Sequence, residues 1–279
     1  MISTYYSGLL ADIGILMLGA LSVYIILATG QLSLGNAGFM AIGAYVASYL
    51  TVELHWPLTA ALTVAALAAS AIGVIVGFPA LRLKGIYLAI ATLGFGEMVR
   101  SFFLIFTPMG GSGGYHGMPH VSLGTIWTWA AAILIIVVVL ERSQLWLQMR
   151  AIHDDEMAAG LIGLNTTLRK VAAFGFGAAV AAVAGGLFAH HYVYIEPGNF
   201  GFERSVDFVI AVILGGSTVG AGTLAGAMLL VLLPEWLRFL TDWRMAAFGV
   251  LLIVVLLTRR QGLLDRRLLA RLSLRGQSS

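Results

Sequence analysis

The 279 residues contain no cysteine, which excludes disulfides and thiolate metal sites and leaves the redox compartment unreadable. Charge is nearly as scarce: 16 basic and 13 acidic residues make up 10% of the chain, where a soluble domain carries roughly 25%. So few ionised groups cannot cover a 29.6 kDa chain in water. A soluble enzyme, a nucleic-acid binder and a disordered linker are thereby excluded. Lysine occurs only as Lys84, followed by Gly85, and Lys170, followed by Val171. A P-loop needs a lysine followed by serine or threonine, so any coupling to ATP must come from another chain. What is present instead is 59% hydrophobic residues, 34 glycines and a mean hydropathy of +0.94. The chain reads as a resident of the lipid bilayer.

An α-helix crosses the hydrocarbon core with about 20 apolar residues. Candidate spans lie at 8–29, 37–52, 57–80, 85–106, 125–140, 171–194 and 245–258. A longer region at 206–233 carries the run Gly215-Gly216-Ser217-Thr218-Val219-Gly220-Ala221-Gly222 at its middle. Glycine runs break helices, so two short arms are expected there, giving an all-α polytopic protein of about eight or nine transmembrane or half-membrane helices. Charge supports the same count. Bases at Arg82 and Lys84, in the 141–170 loop and in the tail at 259–279 obey a positive-inside arrangement only if even numbers of spans separate them. Two passes through 206–233 achieve this, put the basic tail in the cytoplasm and leave the N-terminus outside. The first residues lack the basic region of a cleaved signal peptide, so the first span is expected to be retained. Irregular backbone at membrane depth lines protein or water, which marks 215–222 as part of a path. The GxxxG spacings at Gly73–Gly77 and Gly222–Gly226 are expected to serve ordinary helix packing.

Several polar groups offer chemistry. His190 and His191 point about 100° apart on a helix, so they do not chelate one ion from one face; an interfacial structural role is expected. His153-Asp154-Asp155-Glu156 resembles a metal set but reads better as a solvated helix start. Gly110-Gly111-Ser112-Gly113 matches the short pattern of an intramembrane serine protease, yet no base is placed to activate the serine. Glu97 and Arg100 are three residues apart on one helix face. Glu97 lies roughly 18 Å along a helix that starts at Gly85, just past the midplane of a core roughly 30 Å thick. A functional site and a structural salt bridge stand open equally. In the long polar loop, DDEMAAGLIGLN (154–165) reads as a short amphipathic helix. Acids open it, Met157, Leu161 and Leu164 form a stripe, and Gly163 and Asn165 stop it. Its acidic polar side disfavours an anionic lipid surface and favours docking in a partner's groove.

Three segments carry a resemblance to a known family: GQLSLGNAGFMAIGAY (30–45), LRLKGIYLAIATLGFGEMVR (81–100) and RAIHDDEMAAGLIGLN (150–165). The chain resembles the membrane subunits of ABC importers for branched-chain amino acids, of the LivM type. The likeness covers nearly all of it and is weakest at the N-terminus and tail; the chain is short at its N-terminus, so one family helix is expected to be missing. The resemblance implies an ABC-importer permease fold over 1–258, a coupling-helix loop at 141–170 and a basic cytoplasmic tail at 259–279. It implies a transport subunit rather than an enzyme, in the plasma (inner) membrane of a prokaryote. The implied partners are a homologous LivH-like second permease, two ABC ATPase subunits, an extracytoplasmic substrate-binding protein and membrane lipid. No cofactor is implied on this chain, with ATP on the partner subunits. Asp155, Glu156, Ala158, Ala159 and Gly163 match the coupling motif, with Met157 and Leu161 on its stripe. His153 and Gly160 depart from it, standing where relatives often have arginine and glutamate, which puts the ATPase partner's identity in question.

The first functional expectation is therefore half of a translocation path beside the breaks at 30–36 and 215–222. Its side chains would be Ser33, Asn36, Tyr87, Thr92, Glu97 and Arg100. A stand-alone secondary transporter or channel, with Glu97 as a proton site, is the rival; it has no use for a docking helix. Within the family, urea or a short amide competes with amino acids as substrate.

Overall fold

The computed structural model describes residues 2–80, 82–83, 85–237, 249–250 and 253. Among these residues there are ten α-helices: α1 (Ile2–Leu27), α2 (Asn36–Val52), α3 (Leu58–Ala80), α4 (Ile86–Ile105), α5 (Leu123–Glu141), α6 (Gln144–Asp154), α7 (Glu156–Leu161), α8 (Thr166–Tyr192), α9 (Phe202–Gly215) and α10 (Gly222–Trp236). Two two-residue strands, β1 (Tyr115–His116) and β2 (Tyr194–Ile195), pair antiparallel. The expected tail at 259–279 and Lys84 lie outside the described residues, as does nearly all of the expected span at 245–258.

Five helices, Tyr5–Leu27 of α1 with α3, α4, α5 and α8, are long and apolar enough to cross a membrane. α8 has 27 residues, about 40 Å at 1.5 Å per residue. Burial separates inner from outer helices: 83% of the apolar stretch of α1 and of α8 is buried, against 22% for α5. α1, α2 and α8 form the centre, and α3, α4 and α5 turn Leu67, Ile90, Phe102 and Ile135 outward.

Small residues make the centre possible. A methyl group at Gly43 of α2 would overlap the Ala182 backbone of α8, and one at Gly185 would overlap the Met40 carbonyl. With no hydrophobic drive between helices in lipid, such close backbone approach supplies the packing energy. Gly73 and Gly77 face Ala178 and Phe174 of α8, while Gly222 and Gly226 face α9. Both GxxxG pairs therefore serve packing within the chain.

The 206–233 region does break. α9 and α10 are two arms joined at 216–221, where Gly216 takes φ 115°, a conformation open chiefly to glycine. A second break spans 28–35, where the chain leaves α1 and returns extended to start α2. The bundle thus has two ends. At one, β1 and β2 clip the α4–α5 loop to the segment after α8, and Tyr115 donates to Glu53 Oε1 at 3.1 Å. Burial, reinforced by Glu53, pushes the Tyr115 hydroxyl up to about 12. At the other end lie α6, α7 and the α9–α10 turn.

His190 takes a structural role within the bundle. It is fully buried, with Nε2 2.9 Å from Thr51 Oγ1 and Nδ1 2.7 Å from the Gly186 carbonyl. It joins α8 to α2 inside the bundle.

Candidate functional site

Glu97 and Arg100 face a cavity of about 570 Å³ that the segment 198–201 and the first turns of α9 close from the other side. Arg100 Nε donates to Glu97 Oε2 at 2.7 Å, and both side chains are 37% exposed. α9 adds Glu203, Arg204 and Asp207, with Asp207 one turn on from both Glu203 (i+4) and Arg204 (i+3). The Arg204 guanidinium also lies 5.1 Å above the Phe188 ring. Among the described residues, Glu203, Arg204 and Asp207 take part in no ion pair.

The depth of this group follows from α4. Arg100 is five residues before the helix end, and the start of α9 sits at its level, with Gly201 close to Arg100 Cδ. The chain after β2 therefore turns back into the bundle before α9 begins. A 3-10 turn at Pro197–Phe200 makes that return, anchored by Phe200, which is buried against Tyr45 and Phe188. The result is irregular backbone and five charged side chains beside the candidate span α4, half-covered by this chain.

Beneath the cavity, Glu97, Gly201 and Phe202 continue into a closed seam, too narrow for a water, that reaches Leu34, Ala37 and Ser205. The seam ends on a buried polar knot. Thr92 Oγ1 accepts from the Leu34 N–H at 3.0 Å, and Ser33 Oγ accepts from the Gly35 N–H at 3.2 Å. Ser205 Oγ accepts from the Ala37 N–H at 3.1 Å, and Asn36 Nδ2 donates to Ser22 Oγ at 2.8 Å. Thr92, Ser33 and Ser205 thereby satisfy backbone donors in and just after the break at 28–35, as buried backbone groups require. The Asn36 Oδ1 atom is buried and has no hydrogen-bond partner among the described residues.

At the opposite end, α6 is amphipathic and buries Trp146, Met149 and Ile152. Trp146 stacks on Tyr24 of α1 with ring centroids 5.3 Å apart. Tyr24 in turn donates to Glu141 Oε1 at 2.6 Å, and the same oxygen accepts the Gly220 N–H at 2.5 Å. His153 Nδ1 lies 3.1 Å from the Leu27 carbonyl. A second cavity of about 220 Å³ lies among Leu27, Trp146, Arg150, His153 and Ser217. α6 is thus tied to both breaks, at 28–35 and at 216–221.

α7 projects beyond this end. Asp155 caps it by accepting from the Met157 and Ala158 N–H groups at 2.9 and 3.0 Å. Glu156 is held to Lys170 of α8 at 2.6 Å, and Gly163 takes φ 86° in the turn that follows. Met157, Leu161 and Ile162 are 79, 89 and 76% exposed.

The expected residues divide accordingly. Ser33, Asn36 and Thr92 meet in the buried knot, while Glu97 and Arg100 line the cavity above it. Tyr87 joins neither: it points outward, 70% exposed, beside Ile86 and Ile90. Of the coupling set, Asp155, Glu156, Met157, Ala158, Leu161 and Gly163 sit on or around the projecting face, whereas Ala159 is turned inward and buried. The helix expected at 154–165 is also shorter, being six residues long, and Asn165 caps α8 instead of stopping α7. Sequence reasoning missed Glu203, Arg204 and Asp207, and the Tyr24–Glu141 joint. The cluster of charges at 203, 204 and 207, within about one turn at the edge of an apolar stretch, was the available signal for the first.

A family model described as the permease component of the branched-chain amino acid transport system matches residues 5–257. The chain is 33% identical over 272 residues to the high-affinity branched-chain amino acid transport system permease protein LivM of Escherichia coli (strain K12), and likewise to LivM of Salmonella typhimurium. Each match covers 85% of this chain and 64% of the relative, so the chain spans a little under two thirds of their length. It is 32% identical to LivH of E. coli K12 over 139 residues, 48% of this chain and 44% of LivH. The ribose import permease protein RbsC of Bacillus subtilis (strain 168) is 27% identical over 192 residues, 62% of this chain and 59% of its own. No solved structure matches.

Proposed function

The chain belongs to the family of branched-chain amino acid transport permease components, and from that membership we propose that it is the membrane-spanning subunit of an ATP-driven importer for branched-chain amino acids. It works beside a homologous second permease, takes substrate from an extracytoplasmic binding protein and is driven by two ATPase subunits that carry the ATP. The α6–α7 end faces the cytoplasm of a prokaryotic cell, and the N-terminus and the β1–β2 clip face outward. Arg142, Arg150 and Arg169 at the α6–α7 end support this orientation through the positive-inside rule.

One observation carries the reading. α7 and the residue that ends it present Met157, Leu161 and Ile162 to solvent, on a short helix held at its N-terminal end by the Asp155 cap and the Glu156–Lys170 bridge. Such an apolar face, exposed on a rigid element, fits a groove in another protein. The ATPase closes on nucleotide, pushes α7, and α6 passes the movement through Trp146–Tyr24, Glu141–Gly220 and His153–Leu27 to the two breaks. Leu161→Asp tests it. The side chain touches little of its own chain, so the bundle folds, while the ATPase no longer copurifies. Undiminished ATPase recovery with intact transport removes α7 from the coupling role.

A further inference from the structure

The cavity between α4 and α9 demands an occupant that lipid does not supply. Glu97, Arg100, Glu203, Arg204 and Asp207 surround about 570 Å³, a volume typical of small-molecule sites. Ionised side chains at membrane depth face protein or water-filled space, because hydrocarbon solvates neither charges nor irregular backbone. The 198–201 segment and the start of α9 bring both kinds of group to this one face. The side of the chain that carries them is therefore turned to the path.

The mixture of signs selects the ligand class. Two guanidiniums and three carboxylates line the same space, Arg100 shared with Glu97 and Arg204 in no ion pair among the described residues. A lone anion would be repelled by the carboxylates and a lone cation by the arginines. A neutral sugar has no charge to pair with these five side chains. A solute carrying a carboxylate and an ammonium a few ångströms apart satisfies both sets, since guanidinium grips a carboxylate through paired N–H donors. The exposed Phe202 ring on the rim adds an apolar surface beside the charges.

We infer that the α4–α9 cavity is a binding station of this subunit for the α-amino and α-carboxylate groups of an amino-acid zwitterion. Arg204 takes the carboxylate, and Asp207 and Glu203 take the ammonium. The closed seam below, running from Glu97 and Phe202 to Leu34 and Ser205, is the gate on which the station rests. The inference rests on the importer reading and deepens it, because it places recognition of substrate charge on the permease as well as on the binding protein.

The absence of native cysteine makes the test direct. Asn199→Cys puts a single thiol on the cavity lining, and Tyr6→Cys puts one on α1 as a control. The full complex, purified in nanodiscs without binding protein, is treated with a charged thiol reagent in the presence of L-leucine. At about ten times its Kd, leucine slows modification of N199C about tenfold and leaves Y6C unchanged. Leucinol, lacking the carboxylate, 4-methylpentanoate, lacking the ammonium, and D-ribose do not protect. As an independent readout, Arg204→Gln lowers leucine import about tenfold or more with the complex still assembled, and Arg204→Lys regains part of it. A complex that imports leucine while N199C reacts at the same rate with and without it overturns the station alone. Protection by ribose or leucinol equal to that by leucine overturns the zwitterion assignment. A chain that assembles with no ATPase overturns the importer reading and this inference with it.

Discussion

Thr92 Oγ1 accepts from the Leu34 N–H and donates to the Ala89 carbonyl, both at 3.0 Å, in a fully buried position. Replacing it with valine keeps the shape and strands the Leu34 donor, which costs about 1–3 kcal/mol. Thr92→Val should lower the midpoint of heat unfolding in detergent while Thr92→Ser leaves it nearly unchanged; equal midpoints for both would contradict the assignment. Glu97 differs in kind: its bridge to Arg100 is over a third exposed, so its worth to folding is at most about 1 kcal/mol. Glu97→Gln should fold and lose transport, whereas loss of folded protein would make the bridge structural. Polar side chains inside apolar spans were legible as residues of consequence, which is why Ser33, Asn36, Thr92, Glu97 and Arg100 stood out. Their directions were only half legible. Tyr87 and Thr92 are five residues apart, about 140° around a helix, so periodicity already forbade both from facing one path. Which of the two turns inward depends on packing against the start of α2.

At the scale of elements, the break at 206–233 was readable because a glycine run cannot sustain a helix. Contacts set its geometry: a methyl at Gly226 would overlap the Ala211 carbonyl, so α9 and α10 lie backbone to backbone. The start of α7 was readable from the acids at 154–156, but α6 directly before it and the end of α7 at Leu161 were not. The Asp155 side chain bonds the Met157 and Ala158 N–H groups, and its backbone takes φ −152°. An aspartate that caps the next helix ends the preceding one. The bridge from Glu156 to Lys170 changes how α7 should be probed. Glu156→Lys sets two lysines together and loosens α7 from α8, so it blurs docking with detachment; Leu161→Asp does not. The Tyr24–Glu141–Gly220 joint gives a sharper expectation. Tyr24→Phe keeps the stack on Trp146 and removes a hydrogen bond to a carboxylate, about 1.5–3 kcal/mol. In proteoliposomes it should hydrolyse ATP at a normal rate and import leucine slowly. Parallel loss or parallel retention of both activities would remove the joint from the coupling route.

For the whole molecule, composition alone made the bilayer the solvent, and charge parity gave an expected number of passes, of which five candidate spans lie among the described residues. The order of layers was hidden, because α1, α3, α5 and α8 are all predominantly apolar. Glycine placement decides it: α8 carries Gly175, Gly177, Gly185 and Gly186, which let α1, α2 and α3 approach closely, and it becomes the axis. Orientation has its own check. With single cysteines at Tyr6 and Leu161, an impermeant thiol reagent added to intact cells should label the first and spare the second; the reverse pattern would invert the protein in the membrane.

The central claim is that this chain moves solute only as part of an ATP-driven assembly. The most direct measurement is purification of the tagged chain from its native membrane, identification of the proteins that come with it, and leucine uptake after reconstitution. The account predicts a second permease and ATPase subunits in the eluate, with uptake that requires ATP. A chain that elutes alone and carries solute down an ion gradient would contradict it.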